Sequence, residues 1–371
     1  MDMHTALLLM FLVTIFLVGA LTALTPWLMK KRECFAVTIP QAYARDARLR
    51  RFKLHYSIIS VVAALVLAGI IAALFAGGLE ELGLIALVIG VFAQMGLSFA
   101  LMLYYRRRVQ AIKRDQGWVV ELQESAALIG EASLPKVISL KWNLLYIPLL
   151  IITAAIGLVG YDSLPDMVPM HVGLDGQVND WAPKGLGVVL FPVAIQLFFV
   201  VCFVFCHWTM LRSKKAVDPE APASTALAYG LFARAQSIFL LAAGLLMCAA
   251  MILIPLSFLG LITLVQAAGV IVILLVPVLV GAIVVSVVYG QSGARAIKHF
   301  NDADELLFDD DAQWKLGVFY YNPADPNLFL PERFGIGWTC NLARPAVWAL
   351  IIGGGVLTVG FIVAITLMLG W

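Results

Sequence analysis

The sequence predicts an all-α polytopic integral membrane protein of about eight transmembrane helices, topped by a small β-containing cytoplasmic cap. Three observations carry that prediction. First, 62% of the 371 residues are hydrophobic and only 13% are charged, against about 25% charged in an ordinary soluble domain. Second, apolar stretches of about 20 residues, enough to cross a bilayer core as helix, recur along the whole chain. Third, 24 of the 25 Lys and Arg fall in alternate connections between those stretches.

The apolar stretches lie at 6–29, 57–77, 82–104, 143–161, 185–210, 235–258, 262–289 and 346–370. Helix is the required form, because lipid offers the backbone no hydrogen-bond partner. The first stretch is longer than the apolar core of a signal peptide and has no basic segment before it, so it reads as a span. Gly77–Glu81 forms a short link between the second and third spans. Ser257, Gly260 and Thr263 mark an even shorter one between the sixth and seventh, the least defined boundary. Pro192, Pro255 and Pro277 are expected to kink their helices, and Gly353-Gly354-Gly355 to permit close helix contact. Gln94, Ser98, Gln196, Gln266 and Ser286 are the polar residues expected deep in spans. The chain divides into an N-terminal region of three spans (1–142), a central region of four (143–289), an aromatic and proline-rich module (290–345) and the last span (346–371).

Orientation follows from charge. The basic connections are 30–56, 105–142, 211–234 and 290–345, and Lys184 is the single exception. They are expected in the cytoplasm, with both termini outside, in a bacterial cytoplasmic membrane. These connections also carry strand signals of period two. Phe35, Val37 and Ile39 alternate, as do Trp118, Val120 and Leu122, and Phe334, Ile336 and Trp338, while 316–321 is rich in β-formers. Asp309, Asp310 and Asp311 are expected on a solvated face. Five cysteines, three of them in apolar runs and two in cytoplasmic segments, suggest no disulfide framework. Cys202 and Cys206 share a helix face, with His207 next along, and the three are expected to pack.

Two segments stand apart. The connection 161–185 is the longest exterior loop, with three prolines, four aspartates, His171 and Trp181. Leu174-Asp175-Gly176 supplies a turn, Trp181 suits the headgroup level, and the prolines point to a fixed irregular shape. A ligand-binding reading assigns Pro165, Pro169, His171, Gly173, Asp175, Asp180 and Trp181. The alternative is a rigid structural loop whose polar side chains satisfy its turns. A cation at His171, Asp175 and Asp180 lacks a recognisable ligand spacing, so no metal is expected. The second segment, 314–345, is too punctuated to span. Its Asn322-Pro323 and Asp325-Pro326 turns leave Tyr320, Asn322, Pro323, Arg333, Phe334 and Trp338 either to build the cap or to dock a cytoplasmic partner.

These residues carry a resemblance. Leu164-Pro165-Asp166, Pro169-Met170-His171, Gly173, Asp175-Gly176 and Asp180-Trp181 resemble the domain of unknown function of SdpI-type bacterial membrane proteins. Tyr320-Tyr321-Asn322-Pro323, Asp325-Pro326 and Arg333 through Thr339 resemble a second uncharacterised module that follows the first in longer members. The resemblance implies immunity toward a secreted killing factor, or signalling in which a regulator is held at the membrane.

No Ser or Cys with a nearby His base, no His-Glu-x-x-His motif and no carboxylate pair within a span is present, so an enzyme is not expected and no cofactor is implied. No Asp, Glu, Lys or Arg lies near the centre of a predicted span, which removes the usual signature of ion coupling. The expected function is a membrane sensor, immunity-like or regulatory protein that recognises an envelope-active peptide or lipid through its exterior loop. A transporter or lipid-handling protein is the alternative. Expected partners are the lipid bilayer, a secreted peptide or lipid outside and a cytoplasmic regulator, with no nucleic acid.

Overall fold

A computed structural model describes residues 3–30, 33–118, 134–173, 176–215, 222–296 and 311–369. Among them are eight helical segments long and apolar enough to cross a membrane. The chain runs α1 (Met3–Leu28), β1 (Glu33–Cys34), β2 (Val37–Thr38), α2 (Ala47–Ala76), α3 (Glu80–Asp115) and α4 (Tyr146–Val159). It continues through β3 (Met167–Val172), β4 (Val178–Pro183), α5 (Leu186–Arg212), α6 (Pro222–Ala250), α7 (Leu253–Phe258) and α8 (Leu264–Tyr289). The last elements are β5 (Trp314–Lys315), β6 (Phe319–Tyr320), β7 (Phe329–Pro331), β8 (Trp338–Cys340) and α9 (Pro345–Leu369). The eight strands form four separate two-stranded antiparallel hairpins.

Several helices outrun the apolar stretches that betray them. α3 has 36 residues, roughly 54 Å at the α-helical rise, well beyond a hydrocarbon core of about 30 Å. Its excess carries Arg106, Arg107, Arg108, Lys113 and Arg114 on good helix formers, so the helix continues after its apolar pattern stops. α2 likewise starts ten residues before the stretch at 57, capped by Asp46, whose carboxylate accepts the Arg48 amide at 2.8 Å. α6 starts at Pro222, not 235.

Of the span prolines, Pro192 and Pro277 lie inside continuous helices, whereas Pro255 interrupts its span. Without an N–H and with a ring against the carbonyl four residues back, it separates α6 from α7 at Met251–Ile252. Gln266 is not deep in a span. It closes a reciprocal capping box with Thr263 at the start of α8, at 2.9 and 3.1 Å. Among the described residues the Gly353-Gly354-Gly355 run packs against nothing, since a Cβ built at each would meet no atom within 4 Å. Its close-contact expectation is corrected. Gly187 of α5 makes a close α5–α9 contact instead, with its built Cβ only 1.9 Å from the Met368 carbonyl oxygen.

α1, α2 and α3 are tied by polar bonds inside their interface. Gln94 donates to Thr22 Oγ1 at 3.1 Å and to the Ser60 carbonyl at 3.0 Å. Trp27 Nε1 donates to Ser57 Oγ at 2.8 Å, and the Tyr56 and Ser98 hydroxyls meet at 2.5 Å. Such bonds hold helices that lipid gives no hydrophobic reason to associate. His207, next along from the exposed Cys202 and Cys206, is itself buried. It is held by Asn143 at 3.0 Å and the Ile138 carbonyl at 2.9 Å.

α5 connects the two regions of interest. The β3–β4 hairpin precedes its N-terminus. At its C-terminus Ser213 bridges Phe329 of β7, and the Lys214 amide donates to the Phe329 carbonyl at 2.9 Å. The 27 residues of α5 separate hairpin end from cap end by roughly 40 Å.

Candidate functional site

The 161–185 connection is an antiparallel hairpin, not the irregular loop its prolines suggested. Met167 pairs with Pro183, Val168 with Ala182, Pro169 with Trp181, His171 with Asp180 and Val172 with Val178, with register shifts on both sides of His171. Prolines are tolerated because each strand has a free edge on which no amide donor is needed. The readable signal was Asp175-Gly176, a strong two-strand turn dipeptide. Gly176 has φ +80°, and the Gly173 amide closes the turn on the Gln177 carbonyl at 2.8 Å.

The base of the hairpin is buried and its outer part is exposed. Val168 and Ala182 pack with Leu164, Val188, Val189, Phe258 and Leu369 at the ends of α5, α7 and α9. Lys184 pins this base: its amide donates to the Asp166 carbonyl at 2.8 Å, and its ammonium donates to the carbonyls of Asp162 and Leu164 at 3.1 and 3.3 Å. Tyr161 stacks beneath that ammonium at 5.1 Å. Lys184 was legible only as the exception to the charge pattern, and its anchoring role depends on contacts between distant backbone atoms.

Of the residues assigned to ligand binding, Pro165, His171 and Trp181 are exposed, and Pro169, Gly173 and Asp180 are half-buried. Asp175 lies outside the described residues. His171 Nδ1 donates to Asn179 Oδ1 at 2.5 Å, and Asp180 Oδ1 accepts the Trp181 amide at 2.9 Å. His171 and Asp180 are therefore register neighbours whose side chains serve the hairpin's own geometry. No group of three or more potential metal ligands occurs among the described residues. The exposed faces of Met167 and Trp181, each about half accessible, form an apolar lip beside the polar tip.

At the cap end the α1–α2 connection makes a two-residue hairpin turn, Phe35-Ala36, with φ +48° and +59°. Such a turn ordinarily takes Asn-Gly. Here both residues are fully buried, so packing compensates the backbone strain. Phe35 stacks on Tyr105 at 5.1 Å and on Phe334 at 6.2 Å. Arg333, 3% exposed, reaches over this turn. It donates to the Ala36 carbonyl at 3.1 Å, to Asp311 Oδ1 at 2.5 Å and to the Thr38 hydroxyl, and it lies 3.6 Å from Glu33. Arg106 from α3 donates to the same Ala36 carbonyl and to the Trp314 carbonyl at 3.2 Å.

Asp311 is the hub of this network and not a solvated residue, which corrects the expectation at that one position. It accepts from Thr38 N and Oγ1 at 3.0 and 2.9 Å and from Lys113 at 2.8 Å. Burial alone would raise its pKa. The charge of Arg333, with the Lys113 and Arg333 hydrogen bonds, overrides that and holds the carboxyl at about 2. Asp309 and Asp310 lie outside the described residues.

A second network folds the proline turns. Asp325 accepts from Lys214 at 2.9 Å, from the Tyr320 hydroxyl at 3.1 Å and from the Asn327 amide at 3.0 Å. Burial opposes its ionisation and these donors prevail, so its pKa also falls to about 2. The Asn341 side-chain amide donates to the carbonyls of Asn322 and Asp325 at 2.8 and 3.0 Å. Arg344 Nε donates to the Asp325 carbonyl at 2.8 Å.

The structure therefore spends most of the residues assigned to partner docking inside the cap. Tyr320 and Arg333 are buried, Phe334 packs on Phe35, and Trp338 stacks on Phe232 at 5.4 Å. Asn322 is half-buried, and Pro323 alone of the six is exposed. The open apolar surface nearby consists of Leu316, Phe319 and Tyr321, each about half accessible on or beside the β5–β6 hairpin. Among the expected strands, Phe35–Ile39 and 316–321 contribute short hairpins. Trp338 begins β8, while Phe334 and Ile336 lie in a bend. Val120 and Leu122 lie outside the described residues.

Residues 149–195 match a domain of unknown function (DUF1648), and residues 323–348 match a family of unknown function (DUF5808). Neither the curated proteins nor the solved structures gave a match. The first match runs from α4 through the hairpin into α5, and the second from the Pro323 turn into α9. The chain thus carries two domains of unknown function in a multi-pass helical protein, the first of the type associated with SdpI.

Proposed function

We propose that the protein is a sensor or immunity-like regulator of the bacterial cytoplasmic membrane. In this reading both termini and the β3–β4 hairpin face outside, and the cap faces the cytoplasm. The hairpin recognises an envelope-active peptide or lipid, and the cap answers to a cytoplasmic regulator. The orientation rests on the basic residues, 24 of 25 of which belong to cap-side connections or helix ends. The observation that carries the recognition role is the hairpin's construction. Its base is buried and pinned by Lys184, so Met167, His171 and Trp181 are presented on a fixed support at the membrane surface.

The test pairs His171→Ala and Trp181→Ala with an unaltered expression level and an unaltered elution profile in detergent. Both variants should change survival in a peptide-toxin screen or the output of a regulator-linked reporter. Wild-type behaviour of both in both assays leaves the hairpin a structural element only.

Transport of a neutral solute or lipid is the second reading, and one observation favours it. The Tyr146 hydroxyl of α4 and Gln196 Oε1 of α5 are buried within the bundle without a hydrogen-bond partner among the described residues. Reconstituted protein that moves a solute or lipid across liposomes would decide for this reading.

A further inference from the structure

At the cap end a cavity of about 190 Å³ opens between residues 134–137, the end of α5 and the first turns of α6. Its shape follows from one close approach. The Pro135 carbonyl presses on Gly230, where a Cβ would sit 2.3 Å from the oxygen, so the crossing segment lies against α6 and leaves space on the α5 side. Pro135, Val137, Met210 and Leu211 give the cavity apolar walls, and Lys136 and Lys215 are its charged residues. Ser213 and Tyr229 add hydroxyls, and no carboxylate lines it among the described residues.

Its position supplies the membrane context. α5 ends at Arg212, so the cavity lies where the apolar span gives way to the polar end of the bundle. Leu211, beside it, is exposed on the bundle's flank. Lys214, paired with Asp325 at 2.9 Å, does not line the cavity, and Lys136 and Lys215 are the cations that line it among the described residues. Each also interacts with another group, and an ammonium with three donors can serve two partners. An apolar wall, two hydroxyls and two ammonium groups at headgroup level are complementary to a phosphate that carries an acyl chain.

We propose that this cavity binds the headgroup phosphate of an anionic glycerophospholipid. Lys136 and Lys215 bracket the phosphate, Ser213 and Tyr229 face the glycerol, and the acyl chain descends along Leu211. The proposal is independent of what the β3–β4 hairpin recognises.

The experiment uses the purified full chain in nanodiscs and detergent, with native mass spectrometry to count retained lipids. Phosphatidylglycerol should be retained in preference to phosphatidylcholine. Lys136→Gln with Lys215→Gln should weaken that preference roughly tenfold or more, and Lys136→Arg with Lys215→Arg should keep it. Arg50→Gln with Arg51→Gln removes equal charge from exposed positions on α2 and should leave it unchanged. Equal loss in that control pair overturns the proposal by reducing it to general surface charge. Retention of phosphatidylglycerol no better than phosphatidylcholine overturns it as well. So does displacement of the lipid by millimolar inorganic phosphate or glycerol phosphate, which would identify a soluble-anion site.

Discussion

Asp311→Asn tests whether one carboxylate holds the cap together. The substitution keeps size and shape and removes the charge that faces Arg333 and Lys113. The native carboxyl titrates at about 2 against an ordinary 3.8, a difference worth about 2 kcal/mol in favour of the ionised, folded cap. A carboxylate with a depressed pKa stabilises above its unfolded pKa and loses that contribution only as pH falls through the folded one. The full contribution is therefore present at pH 7 and disappears between about pH 4 and pH 2.

Cys34 is a natural reporter of this stability. It sits in β1, beside the turn that Arg333 and Arg106 clamp. It is 1% exposed, and burial pushes its thiol up to about 11. In a background with the other four cysteines replaced by alanine, maleimide labelling of Cys34 requires the cap to open. About 2 kcal/mol corresponds to labelling on the order of 30-fold faster in Asp311→Asn at pH 7. Lys315→Gln, which removes an exposed ammonium that donates to the Ala312 carbonyl at 2.9 Å, should change the rate less than about twofold, as expected for an exposed group. A rate for Asp311→Asn within threefold of wild type, in protein of unchanged secondary structure, would refute the hub role.

Two further perturbations probe other joints. Glu332 is pushed up to about 7 by burial, so the folded cap holds a proton that the unfolded chain releases near its ordinary 4.5. Stability then falls as pH rises from about 4.5 to about 7 and is flat above. Glu332→Gln should remove that slope in Cys34 labelling and protect by on the order of 1–3 kcal/mol at pH 8, whereas a slope that persists in the variant assigns it to another group. Gly187→Val puts a side chain where its Cβ meets the Met368 carbonyl at 1.9 Å, a backbone clash costing about 1–3 kcal/mol or more. It should lower the melting temperature in detergent and expose the end of α9, while Gly353→Val, open on all sides, should not; equal behaviour of the two variants would mean that Gly187 is no contact point.

The β3–β4 hairpin shows why legibility was uneven. Its turn was readable at Asp175-Gly176, yet Pro165, Pro169 and Pro183 argued locally against strands. Only a two-stranded ribbon with free edges reconciles them. Arg333 and Tyr320 stood out as special residues, but sequence position cannot distinguish a side chain offered to a partner from one spent on a distant turn. Asp311 illustrates the same limit. A run of three aspartates reads as solvated until Arg333, Lys113 and Thr38, brought from three other segments, surround one of them.

What the sequence by itself determined is the membrane-spanning count, the separation of charge between two ends of the bundle and the presence of a β-containing cap. Each follows from composition and period, because a lipid solvent imposes length and backbone satisfaction on every span separately. The tertiary structure alone decided which ends lengthen into helix, which glycine is a contact and which is open, where the hairpin is anchored and which charges are buried as a network. Those outcomes depend on the meeting of groups far apart in the chain, such as Arg333 with the Ala36 carbonyl, and such meetings leave no local pattern.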